Sequence, residues 1–395
     1  MICVIHFARF GPYHLARLDS AHRSLSAQGD WTLIGLETAG ADQTYAWRKE
    51  AGSRQWQRVT VFPEEAAEAV SPSRLKRGMN HALDRCKADA VVIAGWGSTD
   101  ARACLSWCKR KGALAIVMSE TRYVDGERVW WKERLKRRLV RQFDAGLVGG
   151  RSHRDYLGTL GIPTERVAYG YNVVDNEFFT EQVARKEHLQ SEGPERNYLL
   201  SSNRFLKRKN LAALLRAFGQ GKIRTQSHPW SLILLGDGEE SESLMSLCAE
   251  LSLKTAQCAP WELEHSEKVD VFFPGFRQID ELPRFYALSR AFIHPALSEP
   301  WGLVINEAMA AGLPILSSTN VGAAEELVDN QVNGWLFDPS QDETIQDALI
   351  ELFNAPAEQL YKMGQQSQKI LEERCPLGAF GEGVLQCLNF AKAKE

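Results

Sequence analysis

The sequence predicts an α/β protein made of two Rossmann-like, doubly wound domains. Its 395 residues exceed what one hydrophobic core usually organises. Short apolar runs alternate with longer helical patterns, which is the βαβ arrangement of a parallel sheet. This alternation stops in a charged stretch and then restarts. We therefore expect a first domain at residues 1–180, a second at residues 195–370, and a helix within residues 371–395 whose return to the first domain the sequence leaves open.

Periodicity and turn residues place the individual elements. The charged stretch from Glu181 to Arg196 is the expected linker. Two domains of this kind are expected to face each other across a cleft, since open α/β sheets bind ligands there. The predicted strands are Ile2–Phe7, Trp31–Leu36, Ala90–Ala94, Ala113–Met118, Gly146–Val148, Tyr198–Ser202, Ser231–Leu235, Val269–Phe273, Ala291–His294 and Pro314–Ser317, and the predicted helices of the second half are Leu211–Phe218, Ser241–Leu251 and Glu281–Leu288.

Charge and apolar content argue against several classes of protein. The formal net charge of -3 gives no overall field that would attract nucleic acid, so no nucleic-acid partner is expected. No apolar run reaches the roughly 20 residues of a membrane span, and residues 1–7 are too short for a signal peptide, so we expect a cytoplasmic protein. The eight cysteines form no C-x-x-C pair and are interpreted as buried thiols without a metal.

A cluster of cations follows the first predicted strand of the second half. Arg204, Lys207, Arg208 and Lys209 lie between that strand and the next helical pattern. Ligands of open α/β sheets bind at this edge, and cations beside a helix N-terminus suit a diphosphate. A solvated basic loop is the alternative interpretation.

Two glutamates follow the predicted strand Ala291–His294. Glu299 falls in the loop and Glu307 on the following helix, and their spacing of eight residues is close to two helical turns. One carboxylate could chelate a ribose diol while the other holds sugar hydroxyls, and Gly302 would let backbone N–H groups approach a phosphate. The alternative is that both are surface residues that stabilise the helix dipole.

The run from Glu299 through Gly302 and Glu307 to Pro314 resembles the signature of retaining GT-B glycosyltransferases of the fourth sequence family, the group 1 type. Gly322, Glu325-Glu326-Leu327-Val328 and Asn333-Gly334-Trp335-Leu336 extend the resemblance, which covers residues 197 to about 345. It implies the GT-B fold and transfer of a sugar from a UDP- or GDP-sugar to a hydroxyl of a glycan, glycolipid or small molecule, with polysaccharide or glycolipid assembly as the expected role.

The resemblance also assigns residues to the donor by position. Arg204 and Lys209 would bind the donor phosphates and neutralise the leaving group, Glu299 would contact the donor sugar, and Glu307 would bind the ribose. The glycine turn at Gly236-Asp237 and the base pocket at Phe276 are each weak assignments taken alone, since a Gly-x-Gly after a strand is more often only a turn. The other donor-side positions are the backbone of Gly302, Leu303 and Val304, the turn Gly236-Asp237, and the base pocket at Phe276.

The first half resembles the family only loosely. Its glycine loop after the first strand makes Gly11 and His14 candidate acceptor-side residues, although His14 could equally be a surface histidine. Many relatives carry a histidine where this chain has Met118-Ser119-Glu120-Thr121. Glu120 is the substitute candidate for the catalytic residue facing the transferred sugar.

Residues 128–141 carry seven cations, and Trp131, Leu135 and Leu139 recur there at helical spacing. Such a helix could rest on anionic lipid and bring the protein to a lipid-linked acceptor, as a peripheral protein of the inner membrane face. The alternative is that the apolar stripe packs on its own sheet while the cations stay solvated.

No Asp-x-Asp metal motif is present, so we expect catalysis without a divalent ion and without a cofactor, the nucleotide sugar being a substrate. The resemblance implies retention of anomeric configuration. Two other functions stay open: a nucleotide-sugar epimerase of the same fold, and a catalytically silent protein that binds nucleotide sugars.

Overall fold

The computed structural model describes residues 1–41, 48, 54–185, 197–224, 230–263 and 268–392. The chain divides into two compact units, one of residues Met1–Asp175 with Cys375–Glu395 and one of residues Asn176–Arg374. The division lies after residue 175 because the helix Asn176–Ala184 packs on helices of the second unit, where Thr180 Oγ1 donates to the Ala310 carbonyl over 2.9 Å. The second unit therefore begins before the charged stretch predicted as the linker.

The first unit is built around a seven-stranded sheet in which every pairing is parallel. The strands are β1 Ile2–Phe7, β2 Thr32–Ala41, β3 Gln57–Ala66, β4 Ala90–Ala94, β5 Leu114–Ser119, β6 Ala145–Val148 and β7 Val167–Tyr169; the helices are α1 Pro12–Gln28, α2 Pro72–Cys86, α3 Thr99–Lys111, α4 Trp130–Val140 and α5 Arg151–Leu160. The strand order across the sheet is β3-β2-β1-β4-β5-β6-β7.

The edges of this sheet differ most from the sequence prediction. β3 lies at one edge and mixes apolar with polar residues, only two of which, Phe62 and Ala66, are buried, so no continuous apolar run marks it. β7 at the other edge has three residues, which is too short for a periodic pattern. The predicted strands Ile2–Phe7 and Ala90–Ala94 have the observed bounds, and the other predicted strands of this sheet are present with ends shifted by one to five residues.

The last described helix, Gly378–Lys392, belongs to the first unit. It packs against α1, β5, β6 and β7 through the buried side chains of Phe380, Val384 and Leu388. Ser20 Oγ on α1 donates to the Leu377 carbonyl over 2.8 Å, which holds the start of the helix in place. The C-terminal segment therefore completes the core of the domain that begins the chain.

The second unit repeats the architecture, again with parallel pairings throughout its seven-stranded sheet. The strands are β8 Asn197–Ser202, β9 Trp230–Leu235, β10 Thr255–Ala256, β11 Val271–Gly275, β12 Ala291–His294, β13 Ile315–Ser318 and β14 Gly334–Phe337; the helices are α6 Asn176–Ala184, α7 Leu211–Arg224, α8 Ser241–Glu250, α9 Leu282–Leu288, α10 Leu303–Ala310, α11 Gly322–Leu327, α12 Asp342–Asn354 and α13 Ala357–Arg374, followed in the first unit by α14 Gly378–Lys392. The strand order of this sheet is β10-β11-β9-β8-β12-β13-β14.

The strand order of the second sheet places two loops side by side. β8 lies between β9, which follows it in sequence, and β12, so the order reverses direction there. Leu199 pairs with Ala291 and Leu200 with Phe292, which aligns the carboxyl ends of β8 and β12. Ligands of doubly wound sheets bind at such a switch point.

Among the helices of the described ranges, none combines the length and the apolar content needed to cross a bilayer.

Candidate functional site

The basic loop after β8 has a fixed course. Asn203 N donates to the Leu235 carbonyl over 2.9 Å and Phe205 N to the Asp237 carbonyl over 2.8 Å, so the loop is bound to the turn after β9. A single 3-10 turn, Lys207–Lys209, then leads to α7. Arg204 is exposed on this loop, whereas Lys209 is only 8% exposed. The two predicted phosphate ligands therefore differ, since one faces water and the other points into the domain.

The loop after β12 is anchored on both sides. Leu297 N donates to the carbonyl of Arg208 over 2.8 Å, which joins this loop to the basic loop. Its other side pairs with the start of α11, because Gly322 N donates to the Glu299 carbonyl over 3.1 Å. Trp301 Nε1 donates to Asn306 Oδ1 over 2.9 Å and ties the loop to α10. The Glu299 side chain is therefore held at the basic loop.

Gly302 is the N-cap of α10 and leaves the helix start without a covering side chain. Its φ of 95° lies in the left-handed region, and an added Cβ would sit 3.1 Å from Val321 Cγ1 and 3.3 Å from Glu299 Cγ. α10 begins with Leu303 and Val304, whose N–H groups have no partner inside the helix because they lie in its first turn. The helix start carries partial positive charge beside Glu299 and suits an anion.

Glu299 is the centre of a charge cluster. It forms an ion pair with Lys209, and Arg208 Nη1 lies 3.0 Å from the same carboxylate oxygen. Burial opposes ionisation of Glu299, but the His294 imidazole and the Lys209 ammonium outweigh it, so the pKa of Glu299 lies well below its ordinary 4.5. Burial also lowers the pKa of Lys209, and Glu299 counters that effect. The cluster is therefore an ionised carboxylate among cations.

His294 is a site residue that the sequence reasoning did not select. It ends β12, is fully buried, and its Nε2 lies 3.8 Å from Glu299 Oε2. Burial, and then the positive charge of Lys209, lower the pKa of His294 from 6.5 to about 4, so the imidazole is neutral at pH 7. A polar residue ending an otherwise apolar strand was the available signal.

Glu307 lies deeper than Glu299. It is 1% exposed, and Tyr286 Oη donates to Glu307 Oε2 over 2.8 Å. Tyr286 was also missed, because an aromatic residue in the apolar helix α9 is indistinguishable from a core residue by pattern. Glu299 is thus held by cations and Glu307 by a phenol.

The turn after β9 and the residues after β11 lie at the same carboxyl edge of the second sheet as the two loops described above. Gly236 has a φ of 135°, and an added Cβ would lie 1.8 Å from the Asn203 carbonyl oxygen, so only glycine fits. Asp237 Oδ1 accepts from Gly238 N and Ser241 Oγ, each over 2.7 Å, which directs this carboxylate into its own turn. Phe276 follows β11 and is 40% exposed.

The acceptor-side candidates lie in the first unit, at the carboxyl edge of its sheet. Gly11 is the N-cap of α1, and its N–H donates to His14 Nδ1 over 3.0 Å. Burial, and then Arg17, lower the pKa of His14 to about 3, so it is neutral. Glu120 follows β5 and accepts from Asn172 Nδ2 over 2.7 Å. His14 therefore caps a helix, and Glu120 has an amide partner from the loop after β7.

The comparison with protein families bears on the second unit. The profile of the family described as "Glycosyl transferases group 1" matches residues 184–370. These residues belong to the group 1 glycosyl transferase family. The group 1 domain therefore contains the basic loop, Glu299, Gly302 and Glu307, and the resemblance seen in the sequence is confirmed.

Curated relatives match less than half of the chain. The sucrose-phosphate synthase 1 of Oryza sativa subsp. indica, described as probable, is 30% identical over 169 residues, or 40% of this chain and 15% of that relative. The corresponding protein of Craterostigma plantagineum is 31% identical over 169 residues, with the same coverage. The match thus spans about one seventh of the length of these relatives.

Solved structures match over both domains. HepE of Anabaena, solved in complex with UDP and glucose, has a TM-score of 0.70 at 16% identity and covers 98% of this chain and 99% of its own. Sucrose-phosphate synthase of Thermosynechococcus elongatus has a TM-score of 0.73 at 15% identity, with both chains covered completely. WaaG, a glycosyltransferase involved in lipopolysaccharide biosynthesis, has a TM-score of 0.64 at 15% identity over 97% of this chain and 98% of its own. The predicted GT-B fold is confirmed.

Proposed function

We propose that this protein is a glycosyltransferase that moves a sugar from a nucleoside-diphosphate sugar to an acceptor hydroxyl. The observation that carries the proposal is the ion pair of Lys209 with Glu299 beside the open helix start at Gly302, all in the group 1 domain. A buried ammonium, an exposed guanidinium and free backbone N–H groups suit a diphosphate leaving group. UDP is the favoured nucleotide over GDP, because HepE was solved with UDP and glucose.

The proposed donor roles follow from the positions of the groups. Arg204 and Lys209 would neutralise the charge that grows on the leaving diphosphate, together with the N–H groups of Leu303 and Val304. A bound diphosphate would compete with Glu299 for Lys209. Since Glu299 is then released from part of its ion pair, its carboxylate would accept hydrogen bonds from the donor sugar.

The rest of the nucleotide would lie along the same sheet edge. Glu307 would accept hydrogen bonds from the ribose hydroxyls, Phe276 would stack on the base, and the Gly236-Asp237 turn would approach the donor through its backbone. The Asp237 carboxylate itself accepts from Gly238 N and Ser241 Oγ within its own turn. We keep Glu120, Gly11 and His14 as the proposed acceptor-side residues.

Retention of configuration and independence of divalent ions are parts of the proposal. The acceptor hydroxyl would attack from the face that the diphosphate leaves. Cations and a helix start would supply the charge that a metal gives elsewhere. Transfer activity that persists in a chelator is the expected result, and complete loss restored by added magnesium would refute this part.

An epimerase and a silent binding protein are the competing functions. An epimerase converts its nucleotide sugar without an acceptor, so a new donor epimer in an acceptor-free incubation would favour it. A silent protein would bind the nucleotide and produce neither a new epimer nor a glycosylated acceptor. Glycan and glycolipid hydroxyls are the acceptors to test first, in line with a role in polysaccharide or glycolipid assembly.

The first experiment is a thermal-shift panel of nucleoside diphosphates and nucleotide sugars. A ligand that binds only the folded state stabilises it by about 2.7 kcal/mol at 100 times its Kd. We expect UDP to raise the Tm of the wild type and of Arg216→Ala, an exposed arginine on α7, but not of Arg204→Ala. No shift from any nucleotide would refute the donor site.

A further inference from the structure

Exposed apolar side chains are concentrated in one short stretch of the first unit. Among the exposed large apolar residues of the described chain, five lie within positions 123–135. Val124 is 71% exposed and Trp130 is 76% exposed. Soluble proteins seldom leave such a contiguous group uncovered. We define the aromatic-basic patch as Tyr123, Val124, Trp130, Trp131 and Leu135 with the exposed cations Lys132, Arg134, Arg138 and Arg141.

The helix α4 presents apolar and basic side chains on one outward face. Its inward face carries the buried Val140 and the half-buried Leu139. The outward face carries Trp131, Arg134, Leu135 and Arg138, at the spacing of three, four and seven residues that aligns side chains along a helix. Of the apolar stripe predicted from the sequence, only Leu139 is directed inward.

The acidic residue of this helix does not neutralise the outward cations. Glu133 accepts hydrogen bonds from Lys136 Nζ over 2.8 Å and from Tyr156 Oη over 2.9 Å. Arg128 Nη1 donates to the same phenol over 3.0 Å. Residues 123–141, which contain the patch, carry three carboxylates, Asp125, Glu127 and Glu133, against seven cations. The patch is therefore locally cationic on a chain whose net charge is -3. The hydrogen bonds of Arg128, Lys136 and Glu133 with Tyr156 attach α4 to α5 beneath the patch.

The combination of groups selects the partner. Indole rings are stable at the boundary between headgroups and acyl chains, and cations beside them attract anionic lipid. A nucleic acid would pair with the arginines but would leave Val124 and Leu135 in water. We propose that the aromatic-basic patch docks this protein on a bilayer surface that contains anionic lipid. The proposal does not depend on the transferase chemistry, and it would place a lipid-linked acceptor within reach.

The test is flotation with vesicles of phosphatidylcholine that contain about 30% phosphatidylglycerol, compared with phosphatidylcholine alone. We expect the full-length protein to float with the anionic vesicles at about 50 mM salt and to be released at about 500 mM salt, because screening weakens the cationic contribution. Brominated acyl chains should quench part of the tryptophan fluorescence. Absence of binding to anionic vesicles at low salt would overturn the proposal.

Two variants separate the contributions of charge and of apolar contact. Arg134→Gln/Arg138→Gln should lower the partition coefficient about 25-fold, at roughly fivefold for each cation. Trp130→Ala/Trp131→Ala should lower it at least about tenfold and remove the bromine quenching. Unchanged partitioning in either variant would refute a mixed apolar and basic contact.

The controls test folding, the position of the patch and the donor site. Lys76→Gln/Arg77→Gln on α2 and Tyr361→Ala on α13 change exposed cations and an exposed aromatic residue elsewhere, and should leave partitioning unchanged. All variants should keep the wild-type Tm and the UDP thermal shift, so failure of docking is distinguishable from failure of the donor site. A wild-type dimer that Trp130→Ala/Trp131→Ala dissociates, without vesicle binding, would assign the patch to a second copy and overturn the proposal.

Discussion

Tyr286 and Glu307 form a buried hydrogen bond in which the phenol donates to the carboxylate over 2.8 Å, with Tyr286 fully buried and Glu307 only 1% exposed. The two residues lie on α9 and α10, so the bond joins neighbouring helices of the group 1 domain. A buried carboxylate without such donors is costly. The phenol therefore fixes the orientation of Glu307 before any nucleotide binds.

Replacing this phenol should weaken nucleotide binding selectively. Tyr286→Phe should lower the free energy of unfolding by about 1.5 to 3 kcal/mol, the range for hydrogen bonds to charged groups. Since Glu307 is the proposed ribose ligand, the Kd for UDP should rise while the Kd for pyrophosphate stays unchanged. Calorimetric titration of both ligands checks this. The matched control is Tyr361→Phe, at an exposed phenol, and an equal loss for both ligands would contradict the ribose role.

Removing the charge of Glu299 should separate binding from transfer. Glu299→Gln leaves the buried ammonium of Lys209 without its carboxylate, which should cost about 3 kcal/mol of stability. UDP should bind at least as tightly, because its diphosphate no longer competes with a carboxylate for Lys209. The transfer rate should fall roughly 100-fold or more, the effect of losing one charge-stabilising contact in the transition state. Lost UDP binding in a folded variant would contradict these roles.

Acid sensitivity should depend on His294. The folded protein keeps this imidazole neutral down to about pH 4, whereas the unfolded chain protonates it near pH 6.5. Because the unfolded state then binds more protons, stability falls as the pH drops through this window, by about 3 kcal/mol for this residue.

His294→Gln should therefore lose less stability than the wild type between about pH 7 and about pH 4.5, as measured by urea unfolding at each pH. His14, whose pKa is lowered to about 3, adds a similar loss in both proteins, so some acid sensitivity remains. A stability difference between the two proteins that does not change with pH would show that His294 is not the group responsible.

A side chain at position 302 should close the helix start. Gly302→Ala puts an alanine at a φ of 95° with its Cβ near Val321, which should cost about 1 to 3 kcal/mol. UDP affinity should fall as well, since the methyl group lies where the phosphates would approach Leu303 and Val304. Gly378→Ala, where an added Cβ meets nothing within 4 Å, is the control and should change neither quantity.

The sequence predicted the buried middle of each sheet better than its edges. The central strands Ala90–Ala94, a continuous apolar run, and Ala291–His294, apolar up to its last residue, were placed at their observed bounds. Gly334–Phe337 was recognised as part of a motif but not as a strand, because four residues carry no resolvable period. Edge strands mix exposed and buried residues, as β3 does, or are too short to show a periodic pattern, as β7 is.

The sequence allowed prediction of those site residues whose position after a strand and whose residue type both pointed to a ligand. Lys209, Glu299 and Gly302 come together because β8 and β12 are neighbours, which a doubly wound order implies. The partners of these groups were not predictable. The periodicity of a sequence indicates which residues are buried, but it does not reveal that Tyr286 donates to Glu307 or that Asp237 accepts from Ser241 Oγ.

The position of α14 has a consequence for biosynthesis. A ribosome releases β1 to β7 long before it makes Phe380, Val384 and Leu388, which cover α1, β6 and β7 in the finished fold. The second unit, formed by the continuous stretch Asn176–Arg374, contains its own core and can fold first. The nascent first domain therefore exposes apolar surface while about half of the protein is still being translated, and chaperones would have to protect it until the last helix arrives.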